Sequence, residues 1–169
     1  GDVEYAPIIR MSEDAIAAGM KALAGGCDIY TDVEMVRTGI NKRRLASFGG
    51  EAHCLIADPE IAATAKELGI TRSMAAMRSF GHALDGNIVA IGNAPTALFE
   101  VLRLAEEEGV RPACIVGIPV GFVGAADSKA ALAKNGRVPY ITVEGTKGGS
   151  PIAAAAVNAM MYLIDNSRD

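Results

Sequence analysis

The sequence predicts an α/β fold: a five-stranded parallel sheet in the order 2-1-3-4-5 with helices on both faces. Two observations carry that expectation. Five short apolar runs, CDIYTD, HCLIAD, IVAIG, ACIVGI and YITVEG, alternate with helix-length stretches of 3.6-residue periodicity, and strands joined through helices pair in parallel. Aromatic residues make up only 5% of the chain and Trp is absent, whereas Gly numbers 19. That composition suits close packing of helices on a sheet better than an aromatic-rich sandwich. At 169 residues and 50% hydrophobic content, the chain can bury one sizeable core, so residues 1–169 are expected to form a single domain.

Each element follows from local chemistry. Ser12 with Glu13 and Asp14 opens a helix through AIAAGMKALA, which stops at Gly25-Gly26. CDIYTD is the first strand. The stretch VEMVRTGINKRRLASFGGEAH has no sustained period and predicts a long loop with a helical turn, a length that itself points to function. HCLIAD is the second strand, and Asp58-Pro59 starts a helix ending at Gly69. A further helix, ITRSMAAMRSFGHAL, is capped by Thr71 or Ser73 and leads through Asp85-Gly86 into the third strand, residues 88–92. There Gly92-Asn93-Ala94-Pro95 turns the chain into a helix, with Asn93 as its cap and Pro95 in its first turn, running to Glu106-Glu107-Glu108 and Gly109. ACIVGI and YITVEG are the last two strands. Their exits are PVGFVGAADSK, whose Asp127-Ser128-Lys129 opens a helix, and TKGGSP, whose Gly148, Gly149 and Ser150 open the Ala-rich terminal helix.

Three successive strands therefore exit through small-residue loops onto helix N-termini. In a parallel sheet these exits lie together, so GNAPT, GFVGAADSK and KGGS are expected to converge on one crevice rich in N–H donors, with Lys129 and Lys147 nearby. An anionic ligand suits such a crevice. No GxxxxGK[ST] is present and GIPVGFVG does not space its glycines as GxGxxG, so the ligand reads as carboxylated rather than as a nucleotide.

Other classes are excluded on composition. The 16 basic and 20 acidic residues give a net charge of −4 without a long block of either sign, which argues against nucleic acid. No apolar run reaches eighteen residues, and GDVEYAP lacks a basic region followed by an apolar one. The expectation is a soluble cytoplasmic protein without a membrane partner. Cys27, Cys54 and Cys114 are far apart and read as reduced core residues. No GxSxG, HExxH or cluster of carboxylates marks a nucleophile or a metal. His53 and His82 read as structural or solvated, and Asp32 and Glu34 as loop anchors or as an acid–base pair. The residues alone name no reaction.

Six stretches in order resemble the precorrin-8X methylmutases of cobalamin biosynthesis: YTDVEMVRTGINKR from Tyr30, FGGEAHCLIADP from Phe48, TRSMAA from Thr71, IGNAPTALF from Ile91, GIPVGFVGAADSK from Gly117 and GGSPIAAAAVNAM from Gly148. GINKR and FGGE are more similar to the anaerobic branch, whose substrate is cobalt-precorrin-8. The resemblance implies a flavodoxin-like three-layer α/β/α sandwich and an isomerase that moves a methyl group between neighbouring ring carbons to give the cobyrinate skeleton. It implies no external cofactor, and a homodimer with the site at the subunit interface. Arg72 matches a family arginine at the ligand, and a guanidinium suits a carboxylate. Ser73, Asn93, Thr96, Gly121, Ser128, Lys129, Gly149 and Ser150, at the strand exits and the start of the TRSMAA helix, are the further expected corrinoid contacts.

One family feature has no counterpart here. The family's proton donor is a histidine in an N-terminal helical segment, three residues after an arginine and downstream of a ligand-contacting serine. That segment ends in the family where Gly1-Asp2-Val3 begins, so the catalytic histidine is expected upstream of Gly1 and no catalytic residue is assigned within the chain. Neither His53 nor His82 matches its position. Two function classes follow: the methylmutase, and a corrinoid-binding module without turnover.

Overall fold

The computed structural model describes residues 2–166. Gly1 and residues 167–169, the ends of the expected domain, lie outside the described residues. The strands are β1 (Ile9–Met11), β2 (Ile29–Thr31), β3 (Ala52–Cys54), β4 (Ile88–Ile91), β5 (Cys114–Gly117) and β6 (Tyr140–Val143). The helices are α1 (Ala15–Ala24), α2 (Glu34–Gly39), α3 (Lys42–Phe48), α4 (Pro59–Leu68), α5 (Arg72–Phe80), α6 (Pro95–Glu107), α7 (Ala125–Asn135) and α8 (Ser150–Asn166).

The sheet order is β1-β6-β5-β4-β2-β3. Strands β2 to β6 pair in parallel, in the spatial order 2-1-3-4-5 when counted from β2. The sheet nevertheless has six strands and is mixed, which corrects the expectation of five parallel strands. The additional strand, β1, runs antiparallel to β6 with Ile9 opposite Val143 and Met11 opposite Ile141. It is three exposed residues following a 3-10 turn over Val3–Ile8, too short for alternation to register in sequence. Pairing with β6 supplies its hydrogen bonds, and Arg10 forks onto Glu144 at 2.9 and 2.8 Å to hold it in register.

The central strands are buried on both faces, as parallel strands between helix layers must be. Ile88, Ala90, Cys114, Val116, Ile141 and Val143 face α1 and α8. Val89, Ile91 and Ile115 face α5, α6 and α7. Each fully buried aliphatic side chain on these faces contributes about 1.5–3 kcal/mol. Helices α5 and α6 are locked together by Glu100, only 1% exposed, which takes Arg78 at 2.9 and 3.1 Å and Arg103 at 3.0 and 2.6 Å. Burial pushes the Glu100 carboxyl up, but the two guanidiniums outweigh it and hold it below its ordinary value.

The segment expected to be a long loop is instead two short helices, α2 and α3. At six and seven residues each is shorter than the window in which helical periodicity emerges. Their junction is stabilised from outside: Asn158 of α8 donates to the Gly39 carbonyl at 2.9 Å and accepts the Asn41 N–H at 2.9 Å. Asn41 in turn caps α3 by accepting the Arg44 N–H. The cap of α5 is Thr71 rather than Ser73, its hydroxyl accepting the Met74 N–H at 3.2 Å. The cysteines are free thiols, but only Cys114 is buried while Cys27 and Cys54 are half-buried. Burial pushes the Cys27 thiol up to about 11 and Cys114 up to about 12, so both are protonated and unreactive near neutrality.

Candidate functional site at the strand exits

The expected cradle of N–H groups at GNAPT exists, and its anion comes from the chain itself. Asp32, at the exit of β2 and fully buried, accepts the N–H groups of Gly92, Asn93 and Ala94 at 2.9, 2.9 and 2.7 Å. Burial raises its carboxyl above the ordinary value, and the three N–H donors oppose that rise. Asp32 is thus a loop anchor between two neighbouring strand exits. Asn93 does not cap α6: Ala94 holds the N-cap position and no side chain bonds there. The Asn93 side chain is left exposed on the turn.

The exits do converge. A Cβ on Gly92 would stand 2.6 Å from the Ser150 Cα and 2.6 Å from a Val36 methyl, so the β4 exit lies directly against the start of α8. A Cβ on Gly148 would meet the Pro119 carbonyl oxygen at 2.6 Å, and Gly148 has a φ of 157°, so only glycine lets the loops after β5 and β6 touch. Two backbone bonds close that contact, Gly149 N–H to Ile118 C=O at 3.0 Å and Gly121 N–H to Thr146 C=O at 3.2 Å. On the other side the Thr71 and Thr96 hydroxyls lie 3.0 Å apart, joining the starts of α5 and α6.

Arg72, the first residue of α5, is exposed and has no ion pair among the described residues, which leaves its guanidinium available to a ligand. Ser73 beside it is half-buried. Thr96 is half-buried with its hydroxyl shared with Thr71. Ser128 is fully buried and its hydroxyl donates to the Ala125 carbonyl within α7. Gly149 and Ser150 are buried at the start of α8. Lys147 is held by Asp2 and Glu4, and its ammonium lies 5.5 Å from the centre of the Tyr5 ring, while Glu34 is paired with Arg37.

Lys129 is 2% exposed, and its ammonium donates only to the Lys147 carbonyl. It has no ion pair among the described residues, the nearby Glu144 being paired with Arg10, and burial lowers its pKa from 10.5 to about 8. The linkage has a definite sign. Between pH 8 and 10.5 the unfolded chain holds this proton and the folded chain does not, so stability rises with pH across that window; below it the buried charge is a constant cost. The difference in denaturation midpoint between wild type and Lys129→Met is expected to shrink from pH 7.5 to 10.5. A difference that does not change with pH would show that Lys129 ionises normally.

Both histidines sit away from the exits. His53 Nε2 is 3.0 Å from Asp28, which precedes β2, and His82 Nδ1 is 2.7 Å from Asp85, before β4. Each is tied to the entry ends of the strands, and His53 also stacks on Tyr30. Among the described residues no group of three His, Cys, Asp or Glu side chains could hold a metal ion, and no helix is long and apolar enough to cross a membrane. The sequence marks Asp32 as a loop anchor but not its N–H partners at Gly92, Asn93 and Ala94, nor the pairing of Arg10 with Glu144. Spacing gives no sign of either, because sheet pairing creates them.

The exits of the α/β sheet thus converge on a small-residue crevice that holds, among the described residues, an arginine without an ion pair and a buried lysine. The family model for precorrin-8X methylmutase (CbiC) matches residues 1–163. The chain is 46% identical to the cobalt-precorrin-8 methylmutase of Priestia megaterium over 98% of its own length and 73% of the relative's. It is 46% identical to the precorrin-8X methylmutase of Pseudomonas aeruginosa over 95% of its length and 77% of that protein's. The crystal structure of precorrin-8X methylmutase from Thermus thermophilus superposes with a TM-score of 0.87 at 40% identity, covering 97% of this chain and 80% of that one. The chain belongs to the precorrin-8X methylmutase family, isomerases of cobalamin biosynthesis.

Proposed function

We propose that residues 1–169 act as one methylmutase domain that binds precorrin-8 or its cobalt form at the strand exits for a methyl shift between adjacent ring carbons. The observation that carries the binding site is the contact of Gly92 with Ser150 and of Gly148 with Pro119, which brings the GNAPT, GFVGAADSK and KGGS loops onto one rim. A corrinoid carries several peripheral carboxylates, and this rim offers Arg72, Ser73, Asn93, Thr96, Gly121, Ser128, Lys129, Gly149 and Ser150 around them. The five parallel strands are read as a flavodoxin-like core to which β1 adds an edge. Phe122 and Val123, 97% and 90% exposed on the loop between Gly121 and α7, support a homodimer with the site at its interface, since apolar side chains so placed favour a protein partner. A cytoplasmic location accords with this reading.

Arg72 tests the site. A hydrogen bond to a charged group contributes about 1.5–3 kcal/mol, so Arg72→Ala is expected to weaken cobyrinic acid about ten- to a hundredfold. Titration followed by the visible absorption of the corrinoid measures it. Equal affinities would remove Arg72 from the site.

A further inference from the structure

Between α7 and the β6–β1 edge lies a cavity of about 250 Å³ lined by Arg10, Lys129, Ala130, Lys134, Thr142 and Glu144, among others. Its lining includes Glu144 and Gly145, immediately beyond β6, and Lys129, whose ammonium reaches the Lys147 carbonyl in the loop that leads to Ser150. Its wall on the α7 side is alanine, with Lys129 and Lys134 on the same helix. Arg10 is already neutralised by Glu144. Lys129 is not: its ammonium has three N–H groups, and among the described residues the Lys147 carbonyl is its one hydrogen-bond partner.

An ammonium this deeply buried without a counter-ion is costly, and a hydrophobic residue of similar length would relieve that cost. A carboxylate arriving in the cavity would relieve it equally, by pairing with the free N–H groups. The volume excludes a macrocycle but admits a short chain of methylenes ending in a carboxylate, with the alanine wall beside the methylenes and the lysine at the carboxylate.

We propose that this cavity holds one carboxylate-bearing side arm of the corrinoid, the carboxylate on Lys129 and the stem along Ala130, so that a single arm fixes the orientation of the ring over the strand exits. The inference rests on the corrinoid reading above. Lys134, an exposed residue of the lining, adds a second positive charge, and the lowered pKa of Lys129 is the state that an incoming anion reverses.

The test titrates cobyrinic acid and cobinamide, whose arms end in carboxamides, against wild type, Ala130→Leu and Lys129→Met. Ala130 is an exposed helix position where leucine is well tolerated, and circular dichroism confirms that both variants are folded. Ala130→Leu, which fills the cavity, is expected to weaken both ligands about tenfold or more. Lys129→Met is expected to weaken the acid about ten- to a hundredfold and to leave the amide within about threefold, lowering the preference for the acid by about the same factor. Wild-type affinity for cobyrinic acid in Ala130→Leu would overturn the cavity assignment while leaving the corrinoid site intact, and an unchanged acid preference in Lys129→Met would overturn the charge contact. Failure of the wild type to bind either corrinoid would instead overturn the reading on which the inference rests.

Discussion

Asp32→Ala is expected to lower the unfolding free energy by about 3–5 kcal/mol, because it removes the acceptor of three N–H groups at once and leaves those of Gly92 and Ala94 buried without a partner. For a chain of this size that corresponds to a fall in melting temperature of roughly 6–20 °C. Asp32→Asn should be intermediate: its amide oxygen keeps an acceptor, whereas its NH2 group meets an N–H instead of receiving one. The effect reaches the site as well as the fold. Asp32 pins the turn between β4 and α6 through three hydrogen bonds, and that turn carries Asn93, presents Thr96 to Thr71, and abuts Ser150 through Gly92. Urea midpoints and thermal unfolding measure the stability loss, and cobyrinic acid titration of the surviving Asn variant measures the loss at the rim. An alanine variant as stable as wild type would show that the turn holds itself.

How far the sequence revealed this architecture depended on the range of the interactions involved. Runs such as IVAIG and ACIVGI announce themselves because a strand buried on both faces must be continuously apolar, and Gly69 after α4 reads as a stop because it adopts a φ of 64° there. The α2–α3 pair was not legible: each helix is short, and the groups that end one and begin the other are satisfied by Asn158, more than a hundred residues away. The same holds for β1, which is a strand only because β6 offers an open edge. At the site, the convergence of glycine-rich exits was readable from strand–helix alternation, since parallel pairing places all exits on one side. The partner of the N–H cradle was not, because Asp32 and Gly92 are 60 residues apart and nothing in their spacing joins them. Lys129 was noticed as a cation near a loop, yet only the packing of α7 shows that it is buried without a carboxylate and faces a cavity.

The largest expected effect concerns turnover. A methyl shift on the macrocycle requires its activation by a proton, and a positioned general acid contributes about 10²–10⁴-fold in rate. Among the described residues at the rim, Lys129 is buried on the Lys147 carbonyl and is assigned above to a side-arm carboxylate. Asp32 is consumed by three N–H bonds, Glu34 by Arg37, and both histidines are bonded to aspartates at the entry ends of the strands. The resemblance to the family implies a histidine as the acid, at a position that neither His53 nor His82 matches. Residues 1–169 are therefore expected to bind cobyrinic acid while converting precorrin-8, or its cobalt form, about 10²–10⁴-fold more slowly than the Pseudomonas aeruginosa relative assayed alongside. Substituting His53 or His82 by glutamine should change that residual rate by less than about twofold, since neither faces the ligand. Following the cobyrinate-type product by its absorption spectrum decides the matter: a rate comparable to that of the relative would place the acid inside this chain, and loss of that rate in His53→Gln would identify it.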